Sequence, residues 1–518
     1  MASTTRLRRF PIGNLGQGII SDQNPLEIPM GSCVPNTLNV VWVEGFLRAR
    51  SGLLSVYQLP VTDRVHHLTV HQTLTGTRNL MAVSLKAATG VATVYYRSAS
   101  TWVAVGTIPS PYVTANVPMT SCDWGGTTYL TSGNGPIYYF DGTTFAQLNT
   151  LQPSTLFQAA DAVKILVAGD ARLVAANLKR DAVVLPYRVE WSDFSIPGVW
   201  GGAIANQGGD SGGTVLPKNS DAITGLYVDS SVLTIFRARE IYLGVEVGSP
   251  AVYNARCFVQ GPGCVAHATI QPYRDGAIVW LGDDNVYIGA PGQQPRPIGD
   301  RIRLRIRQVA RVSSLDQAKA QLDYDHQLYT LYLPDITTGN LTRMFTCNLR
   351  NGGWWEGSIA DPSMIVTDTV AYRISPWQTQ NLVGTTDGRI LQSILGYSRD
   401  DVTDFPCTWQ SSIIPSRAAF GADHEQASVQ SLRVVAQRNA DTGPNTVTFA
   451  LLHGDNIDNF TATAFSPQQV FDGASTAFTN ERVTNENFQI LIAAAKGTQF
   501  PTVAQVEIGA IPQGMSRS

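Results

Sequence analysis

Short stretches in which apolar and polar residues alternate recur along the middle of the chain and predict β-strands. Because side chains on a strand point alternately to its two faces, this alternation is typical of strands with one buried face. Successive stretches begin roughly 50 residues apart, and such a regular interval indicates a structural repeat. The stretches are Leu80–Leu85, Thr127–Leu130, Ala171–Ala175, Gly225–Val228, Ala277–Leu281, Leu328–Leu333 and Asn381–Thr385.

Several of these strands are followed by a glycine-rich turn and then by an aromatic strand. The turns beginning at Gly133, Gly282 and Asn351 lead into Ile137–Phe140, Val286–Ile288 and Trp354-Trp355. Gly and Asn supply the positive-φ positions of tight hairpin turns. A unit of strand, turn and aromatic strand that recurs six or seven times predicts a β-propeller with degenerate blades. A pair of β-sandwiches also places turns about every ten residues and stays open as the alternative.

From about residue 400 the pattern changes and predicts a second β domain. We expect an all-β chain in three parts: an N-terminal arm and hairpin over residues 1–55, a propeller over 56–400, and a β-sandwich-like platform over 401–518. The end of the chain, Pro512–Ser518, is expected to be disordered. The strand-like stretches of the platform are Trp409–Pro415, Val429–Gln437, Thr446–Leu452, Phe488–Ile492 and Val503–Ile508.

Composition agrees with this organisation. A chain of 518 residues exceeds one core, and 46 glycines and 28 prolines are the punctuation of a β-rich protein. Only 15% of the residues are charged, well under the usual quarter. Such a surface is expected when much of it lies against partner subunits, or when strands simply carry uncharged polar faces, and composition does not separate the two.

The net charge, the lack of targeting segments and the cysteine pattern each make some classes of function less plausible for this chain. The net charge of −3 argues against a dedicated nucleic-acid binder, but it is compatible with a channel through which DNA passes without being held. The chain has no apolar run long enough for a transmembrane helix, and we expect no secretory signal, because no apolar region follows Arg6, Arg8 and Arg9. Six scattered cysteines, none in a Cys-x-x-Cys pair, are expected to be buried and reduced.

The N-terminal segment is punctuated by prolines and glycines. Pro25, Pro29 and Pro35 block helix formation, and a hairpin with its turn at Glu44-Gly45 follows. We expect this arm to be unable to bury itself, so that it needs another surface to lie on. The residues predicted to form the docking arm are Pro25, Leu26, Ile28, Pro29, Asn39, Trp42, Arg48 and Arg50.

The pattern of this segment is Pro-Leu-x-Ile-Pro-x-Gly-x-Cys over residues 25–33, then Asn39-Val40, Gly45, Leu47 and Arg50-x-Gly-Leu. It resembles the start of the tail nozzle (tail hub or stabilisation) proteins of short-tailed bacteriophages. Val189-Glu-Trp-Ser192 with Trp200, and Asn351-Gly-Gly-Trp354, add to a resemblance that covers roughly residues 20–400.

The resemblance implies a structural virion protein and no enzyme. Its propeller and platform would form a homo-oligomeric ring, a hexamer in the family, attached to an adaptor or portal protein and carrying tail fibres. The ring would wall a channel for transient, non-specific passage of double-stranded DNA. Such a subunit is assembled in the host cytoplasm, resides in the virion tail and needs no cofactor.

The densest positive charge lies in Pro297–Val309 and has two structural interpretations. A helix would place Ile298, Ile302, Ile306 and Val309 on one face with Asp300 as N-cap, whereas a strand would alternate isoleucine and leucine with arginine. The functional interpretations are a solvated or partner-binding face and a ring of arginines that faces DNA. The candidate lumen or interface arginines are Arg301, Arg303, Arg305 and Arg307.

None of the sequence motifs associated with catalysis is complete. Gly209-Asp-Ser-Gly-Gly213 matches the nucleophile motif of chymotrypsin-like proteases, but His66, His67 and His71 lack the context of the required base. His66 and His71 are five residues apart and would not share a face as metal ligands. Asp141, Asp283, Asp284 and Asp387 adjoin turn glycines, where aspartate is favoured for backbone reasons.

A function of another class is a propeller that binds a glycan or receptor. It predicts aromatic side chains exposed on a groove, with Trp102, Trp124, Trp354 and Trp355 as candidates. A glycosidase is a third hypothesis, which requires paired carboxylates across a cleft.

Overall fold

The computed structural model describes most of the chain. The described residues are 8–12, 15–24, 27–30, 32–150, 161–169, 171–200, 210–218, 221–229, 232–247, 252–375, 378–416, 419, 426–437, 447–454, 461–465, 476–495, 500 and 502–513.

Four strands precede the first repeat: β1 (Arg8–Ile12), β2 (Val40–Val43), β3 (Phe46–Ala49) and β4 (Gly52–Gln58). Seven groups of antiparallel strands, here called blades, then follow in chain order. The first five are separate sheets, and the last two are joined by a single pairing of Leu341 with Val366. Blade 1 is β5 (Arg64–Gln72), β6 (Arg78–Lys86), β7 (Val91–Ser98) and β8 (Thr101–Ile108). Blade 2 is β9 (Thr120–Trp124), β10 (Thr127–Thr131), β11 (Ile137–Phe140) and β12 (Phe145–Gln147). Blade 3 is β13 (Ala162–Gly169), β14 (Arg172–Arg180), β15 (Val183–Asp193), β16 (Ile196–Trp200) and β17 (Gly212–Val215).

Blade 4 is β18 (Ile223–Asp229), β19 (Val232–Arg237), β20 (Glu240–Glu246) and β21 (Tyr253–Gln260). Blade 5 is β22 (Gln271–Pro272), β23 (Ile278–Leu281), β24 (Val286–Gly289) and β25 (Arg296–Pro297). Blade 6 is β26 (Lys319–Asp323), β27 (Leu328–Pro334), β28 (Leu341–Asn348) and β29 (Gly353–Ser358). Blade 7 is β30 (Val366–Ser375), β31 (Gln378–Thr385) and β32 (Arg389–Ile394), completed by β4.

The remaining strands are β33 (Arg399–Asp400), β34 (Thr403–Asp404), β35 (Cys407–Gln410), β36 (Ile414–Pro415), β37 (Gln426–Gln437), β38 (Val447–Gly454), β39 (Thr461–Phe465), β40 (Thr476–Asn485), β41 (Asn487–Ala494) and β42 (Thr502–Gln513). One α-helix, α1 (Arg303–Val309), is found in the described part of the chain. Short 3₁₀ helices cover Leu15–Gln17, Leu148–Thr150, His267–Thr269, Arg274–Gly276, Asp300–Ile302 and Val312–Gln317.

The seven blades close into a ring. The first strand of each blade is its inner strand. Inner strands contact their neighbours, including β30 of blade 7 against β5 of blade 1, and between blades 4 and 5 strand β18 contacts the 3₁₀ helix His267–Thr269 that precedes β22. Separate apolar cores fill six of the junctions; Leu68 with Leu382 joins blades 7 and 1, and Phe236 with Trp280 joins blades 4 and 5. Blades 5 and 6 meet in the large core that the C-terminal unit shares, through residues such as Leu281 and Leu322. Strand β4 pairs with β32 as the outer strand of blade 7, so a segment that precedes blade 1 completes the last blade. The prediction of an all-β propeller is confirmed, with seven blades.

Beyond the propeller, two sheets share one apolar core. One contains β35, β36, β38, β39 and β41, and the other contains β37, β40 and β42 together with the N-terminal strands β1, β2 and β3. Val434 and Val506 of the second sheet belong to the same buried cluster as Leu451 and Ile490 of the first. The N-terminal hairpin is therefore part of the C-terminal β unit. The boundary predicted at residue 55 falls inside β4, which belongs to the propeller.

The premise that the N-terminal arm cannot bury itself is wrong. Ile12, Leu15, Ile19 and Ile20 are at most 3% exposed, and they lie against the chain's own C-terminal unit and blade 6. Backbone bonds fix this course: Ile19 N–H donates to Trp354 O at 2.8 Å. The arm's prolines prevent a helix, but its apolar residues find an intrachain surface that the sequence did not reveal.

The arginine-rich segment is helical. Ile302, Ile306 and Val309 are buried along one side of the 3₁₀ helix and α1, as the helical interpretation expects. Asp300 is not the N-cap, because it lies within the 3₁₀ turn and its Oδ1 accepts from Asn285 Nδ2 at 2.6 Å.

Two further expectations need correction. All six cysteines are free thiols, but Cys257 is exposed and Cys122 is half-buried, so the expectation that all six are buried is wrong at these two positions. Pro512 and Gln513 belong to β42, whereas residues 514–518 of the tail predicted to be disordered lie outside the described residues.

Candidate functional site: a polar cluster between inner strands and a basic cavity

The structure spreads the predicted docking residues over several intrachain environments. Ile28 and Asn39 are buried, Trp42 and Arg48 are half-buried, and Pro29 is exposed. Pro25 and Leu26 lie outside the described residues. Arg48 faces Glu44 at 3.8 Å across its own hairpin.

The Arg50 side chain is buried and fully hydrogen-bonded within the chain, so it is not available to a partner. It is 3% exposed, and its guanidinium binds Asp400 through two bonds of 3.1 and 2.6 Å. Its other donors reach Asn39 Oδ1, Ser51 O and Ser358 O at 2.9, 2.6 and 2.8 Å. All five donors of the guanidinium are thus used, and the ring of Phe405 covers it at 3.8 Å. The hairpin, blade 6 and the segment after blade 7 meet at this one side chain.

The four candidate lumen arginines do not act as one positive face. Arg305 binds Glu356 through two bonds of 2.7 and 3.1 Å, and the Glu356 side chain is fully buried. Arg301 donates to Gln17 O at 3.0 Å, and Arg303 lies 3.8 Å from Asp22, so both hold the N-terminal segment. Arg307 is exposed. At least three of the four are therefore engaged within the chain.

The glycan-binding hypothesis required exposed tryptophans, and two of its four candidates are buried. Trp354 and Trp355 are 0% and 1% exposed because they pack in the core beneath the N-terminal segment. Trp102 and Trp124 are half-buried on blades 1 and 2.

The four candidate carboxylates bind backbone N–H groups of their own turns or neighbouring side chains. Asp141 Oδ1 accepts from Thr143 N and Thr144 N, and Asp387 binds Arg389 Nε at 2.7 Å. Asp283 pairs with Arg239 at 2.8 Å, and Asp284 Oδ1 accepts from the Tyr287 hydroxyl at 2.8 Å.

The protease-like motif and the histidines lie on different blades. Ser211 immediately precedes β17 of blade 3, and Asp210 pairs with Arg172 at 3.4 Å. His66, His67 and His71 lie on β5, the inner strand of blade 1. The described residues contain no group of three or more His, Cys, Asp or Glu side chains that could hold a metal ion.

A polar cluster that the sequence did not reveal joins the inner strands of four blades. His67 Nδ1 lies 2.7 Å from Asp368 Oδ2 of blade 7, and His67 Nε2 lies 2.9 Å from Ser121 Oγ of blade 2. Lys319 Nζ of blade 6 binds the other oxygen of Asp368 at 2.8 Å. The backbone N–H of Leu68 also donates to Asp368 at 2.8 Å.

The order of groups in this cluster is that of a Ser-His-Asp relay, but its contacts indicate a structural role. Burial alone would raise the pKa of Asp368, yet Lys319 and His67 hold it well below its ordinary value, so the carboxylate stays ionised. The Ser121 hydroxyl is also bonded to Thr69 Oγ1 at 2.8 Å. Every polar atom named here bonds across or along inner strands, and the cluster ties blades 6, 7, 1 and 2 together.

Next to this cluster, a cavity of about 280 Å³ opens at the start of the same inner strands. It is bounded by the beginning of β5, the loop before β9, the segment between α1 and β26, and the turn between β27 and β28. Three of its lining residues, Arg64, Arg311 and Lys319, are cationic, and none of the described lining residues is Asp or Glu.

A second feature lies on the outside of the ring. Eight of the sixteen large apolar side chains that are exposed in the described part of the chain belong to blades 3 and 4 or their hairpin ends: Val183, Val184, Phe194, Ile196, Val215, Val245, Val247 and Phe258. We call these residues the apolar surface of blades 3 and 4. Strands β17 and β21 contact each other, so the two outer edges adjoin.

Sequence reasoning missed both the cluster and the cavity. The adjacent histidines of Val65-His-His-Leu were considered only as metal ligands or as a protease base. Their partners Ser121, Lys319 and Asp368 are 54 to 301 residues away along the chain, and only ring closure brings them together.

Comparisons with known proteins bear on the fold alone. No protein-family model and no curated protein matches the chain. Among solved structures, it is similar to a chain in the crystal structure of the mitotic checkpoint complex, with 10% identity, a TM-score of 0.40, and coverage of 65% of this chain and 94% of that one. It is also similar to the Pan2 WD40 domain of Neurospora crassa, with 8% identity, a TM-score of 0.37, and coverage of 64% and 89%. No helix in the described parts of the chain is both long and apolar enough to cross a membrane.

Proposed function

We propose that this protein is a structural subunit that assembles with copies of itself into a ring, the tail nozzle or hub of a short-tailed bacteriophage. The apolar surface of blades 3 and 4 carries this proposal. Isolated exposed apolar residues are ordinary on a protein surface. These eight lie at both ends of β15 and on or beside the outer strands of two adjoining blades, and we take their share, half of the exposed apolar residues described, as the mark of an interaction site. A ring needs the kind of contact in which this surface meets a different surface of the next copy.

Other features support an assembly role. Charged residues make up only 15% of the chain, which suits a protein with much surface against other subunits. The N-terminal segment locks the propeller to the C-terminal unit through Arg50 and the buried arm, so the two parts can transmit force as one body. The candidate acidic, histidine and arginine side chains described above are mostly held in ion pairs or in turns, and this favours a non-enzymatic function.

The resemblance of the N-terminal segment to nozzle proteins supplies the rest of the proposal. The ring would be a hexamer in the virion tail that attaches to an adaptor or portal protein and carries tail fibres. The channel would let double-stranded DNA pass without holding it, in keeping with a net charge of −3. The engagement of Arg301, Arg303 and Arg305 within the chain leaves the channel lining to other residues.

The test is oligomeric state by sedimentation velocity, with substitutions on the apolar surface. Val215→Asp and Val245→Asp replace valines that are 52% and 51% exposed on blades 3 and 4, and Val402→Asp is the matched control at an 80% exposed valine outside this surface. We expect the wild type and the control to sediment as a ring and the two variants as smaller species. A wild type that stays monomeric at tens of micromolar would overturn the proposal, and unaltered rings in both variants would remove the apolar surface from it.

A propeller that binds a glycan is the second candidate, favoured by the half-buried Trp102 and Trp124 on neighbouring blades. It predicts a monomer whose tryptophan fluorescence changes on addition of host surface polysaccharide. Trp102→Ala would then abolish the change, whereas the ring proposal predicts no effect.

A further inference from the structure

The cavity beside the polar cluster has an excess of positive charge. Lys319 is 4% exposed and shares Asp368 with His67. Arg64 makes no side-chain hydrogen bond or ion pair to any described residue, and its Nε is buried without a partner. Arg311 donates only to the carbonyls of Ile336 and Thr337. Lys319 therefore has Asp368 as its counter-ion, whereas no carboxylate among the described residues forms an ion pair with Arg64 or Arg311.

His66 adds an unused acceptor to the same cavity. It is 4% exposed, and its Nε2 lies 3.2 Å from Val117 O, so Nε2 carries the hydrogen and donates it. Its Nδ1 is left as a bare lone pair that is buried and has no partner. A buried polar atom without a protein partner is unfavourable and calls for an explanation such as a bound water, ion or ligand.

The imidazole ring of His66 is uncharged because of the groups that surround it. Burial and the neighbouring charges of Arg64 and Lys319 lower the pKa of His66 to about 3, so the ring stays neutral near pH 7. The cavity thus offers guanidinium donors together with one neutral acceptor. A single ligand that satisfies both carries negative oxygens and one hydroxyl hydrogen, and it reaches Nδ1 through a small shift of the cavity lining, because this atom is closed to solvent.

We propose that this cavity binds hydrogen phosphate, HPO₄²⁻, through Arg64 and Arg311, with the phosphate hydroxyl donating to His66 Nδ1. Guanidinium groups match the geometry of phosphate oxygens. Sulfate has the same shape and charge but no hydrogen, so it would leave His66 Nδ1 facing an anionic oxygen. The cavity should therefore prefer phosphate to sulfate. This inference is independent of ring assembly, because every residue it uses belongs to one chain.

The experiment is titration of the intact protein with inorganic phosphate and, separately, with sodium sulfate at equal ionic strength and neutral pH. Calorimetry and broadening of the phosphate ³¹P resonance give the affinity. We expect saturable phosphate binding and sulfate affinity at least about tenfold weaker, because sulfate cannot donate a hydrogen bond to His66 Nδ1.

Variants connect the binding to the cavity. Arg64→Gln should weaken phosphate about tenfold or more, and Arg311→Gln provides a second variant if the first does not fold. Arg239→Gln, at an arginine whose side chain is 73% exposed outside this cavity, is the control and should bind as the wild type does. No saturable phosphate binding overturns the proposal. Equal affinity for sulfate overturns the role of His66, and binding that survives both cavity variants places the anion elsewhere.

Discussion

Replacement of Arg50 by methionine tests the most heavily connected side chain of the molecule. Arg50→Met keeps an unbranched apolar stem over Phe405 and removes all five hydrogen bonds of the guanidinium. Asp400, which is 0% exposed, would retain only the 2.9 Å bond from Ala360 N among the contacts described for its side chain. The substitution therefore leaves a buried carboxylate without its counter-ion.

The expected cost follows from that geometry. Loss of one partner of a buried ion pair costs about 3–5 kcal/mol, because the remaining charge stays desolvated. Arg48→Met is the matched control, two residues away in strand β3. Its ion pair with Glu44 is long, at 3.8 Å, and Glu44 is 48% exposed, so its loss should cost about 0–1 kcal/mol.

Urea unfolding followed by tryptophan fluorescence measures both costs. We add Asp400→Leu and the double variant, because removal of the orphaned charge should recover part of the loss. We expect the double variant to be more stable than Arg50→Met alone by about 1 kcal/mol or more. Equal stability of Arg50→Met and Arg48→Met would refute the reasoning, as would strict additivity of the two changes in the double variant.

Three other perturbations have defined outcomes. Gly18 has φ +73° and an added Cβ would lie 2.4 Å from Trp354 N, so Gly18→Ala should destabilise far more in urea unfolding than Gly45→Ala, where φ is +87° but the space is open; equal effects would contradict the packing shown here. His66 has its pKa lowered to about 3 by burial, so below pH 6.5 the unfolded chain binds a proton that the folded chain does not. Stability should fall as pH drops from about 6.5 towards 3, His66→Gln should flatten that fall, and an unchanged pH profile would show that His66 is not the group responsible. Deletion of residues 1–35 removes five buried aliphatic side chains, worth about 1.5–3 kcal/mol each, so circular dichroism should show loss of the cooperative transition of the C-terminal unit; an unaltered transition would mean that the arm is dispensable.

The propeller was predictable because its signal is local and repeats. Each stretch such as Leu80–Leu85 or Leu328–Leu333 forms a strand next to a hairpin turn, and these carry their own pattern. The interval drifts in blade 4, where Gly225–Val228 lies in the inner strand β18 and the stretches of the other blades form second strands. Because of this irregular position, the pattern predicted six or seven blades and did not decide between the two numbers.

The course of the N-terminal segment was not predictable for the opposite reason. Its prolines correctly exclude a helix, but what buries Ile12 and Ile19 is a surface built from residues hundreds of positions away. The same holds for Arg50, whose partner Asp400 is separated from it by seven blades. Side chains with such distant partners give no local pattern, and Arg50 looked like a docking residue for that reason.

The candidate site divides in the same way. Turn aspartates such as Asp141 were correctly interpreted from their glycine neighbours, because an aspartate turn is a local motif. The cluster of His67, Ser121, Lys319 and Asp368 depends on how a closed ring aligns its inner strands, so no spacing in the sequence indicates it.

Imaging of the purified full-length protein by electron microscopy tests the central claim, that this chain is a ring-forming structural subunit, most directly. The account predicts closed rings with six-fold symmetry, in which the apolar surface of blades 3 and 4 lies between neighbouring subunits. Single propeller-sized particles at every concentration would contradict it, as would rings whose contacts leave that surface in solvent.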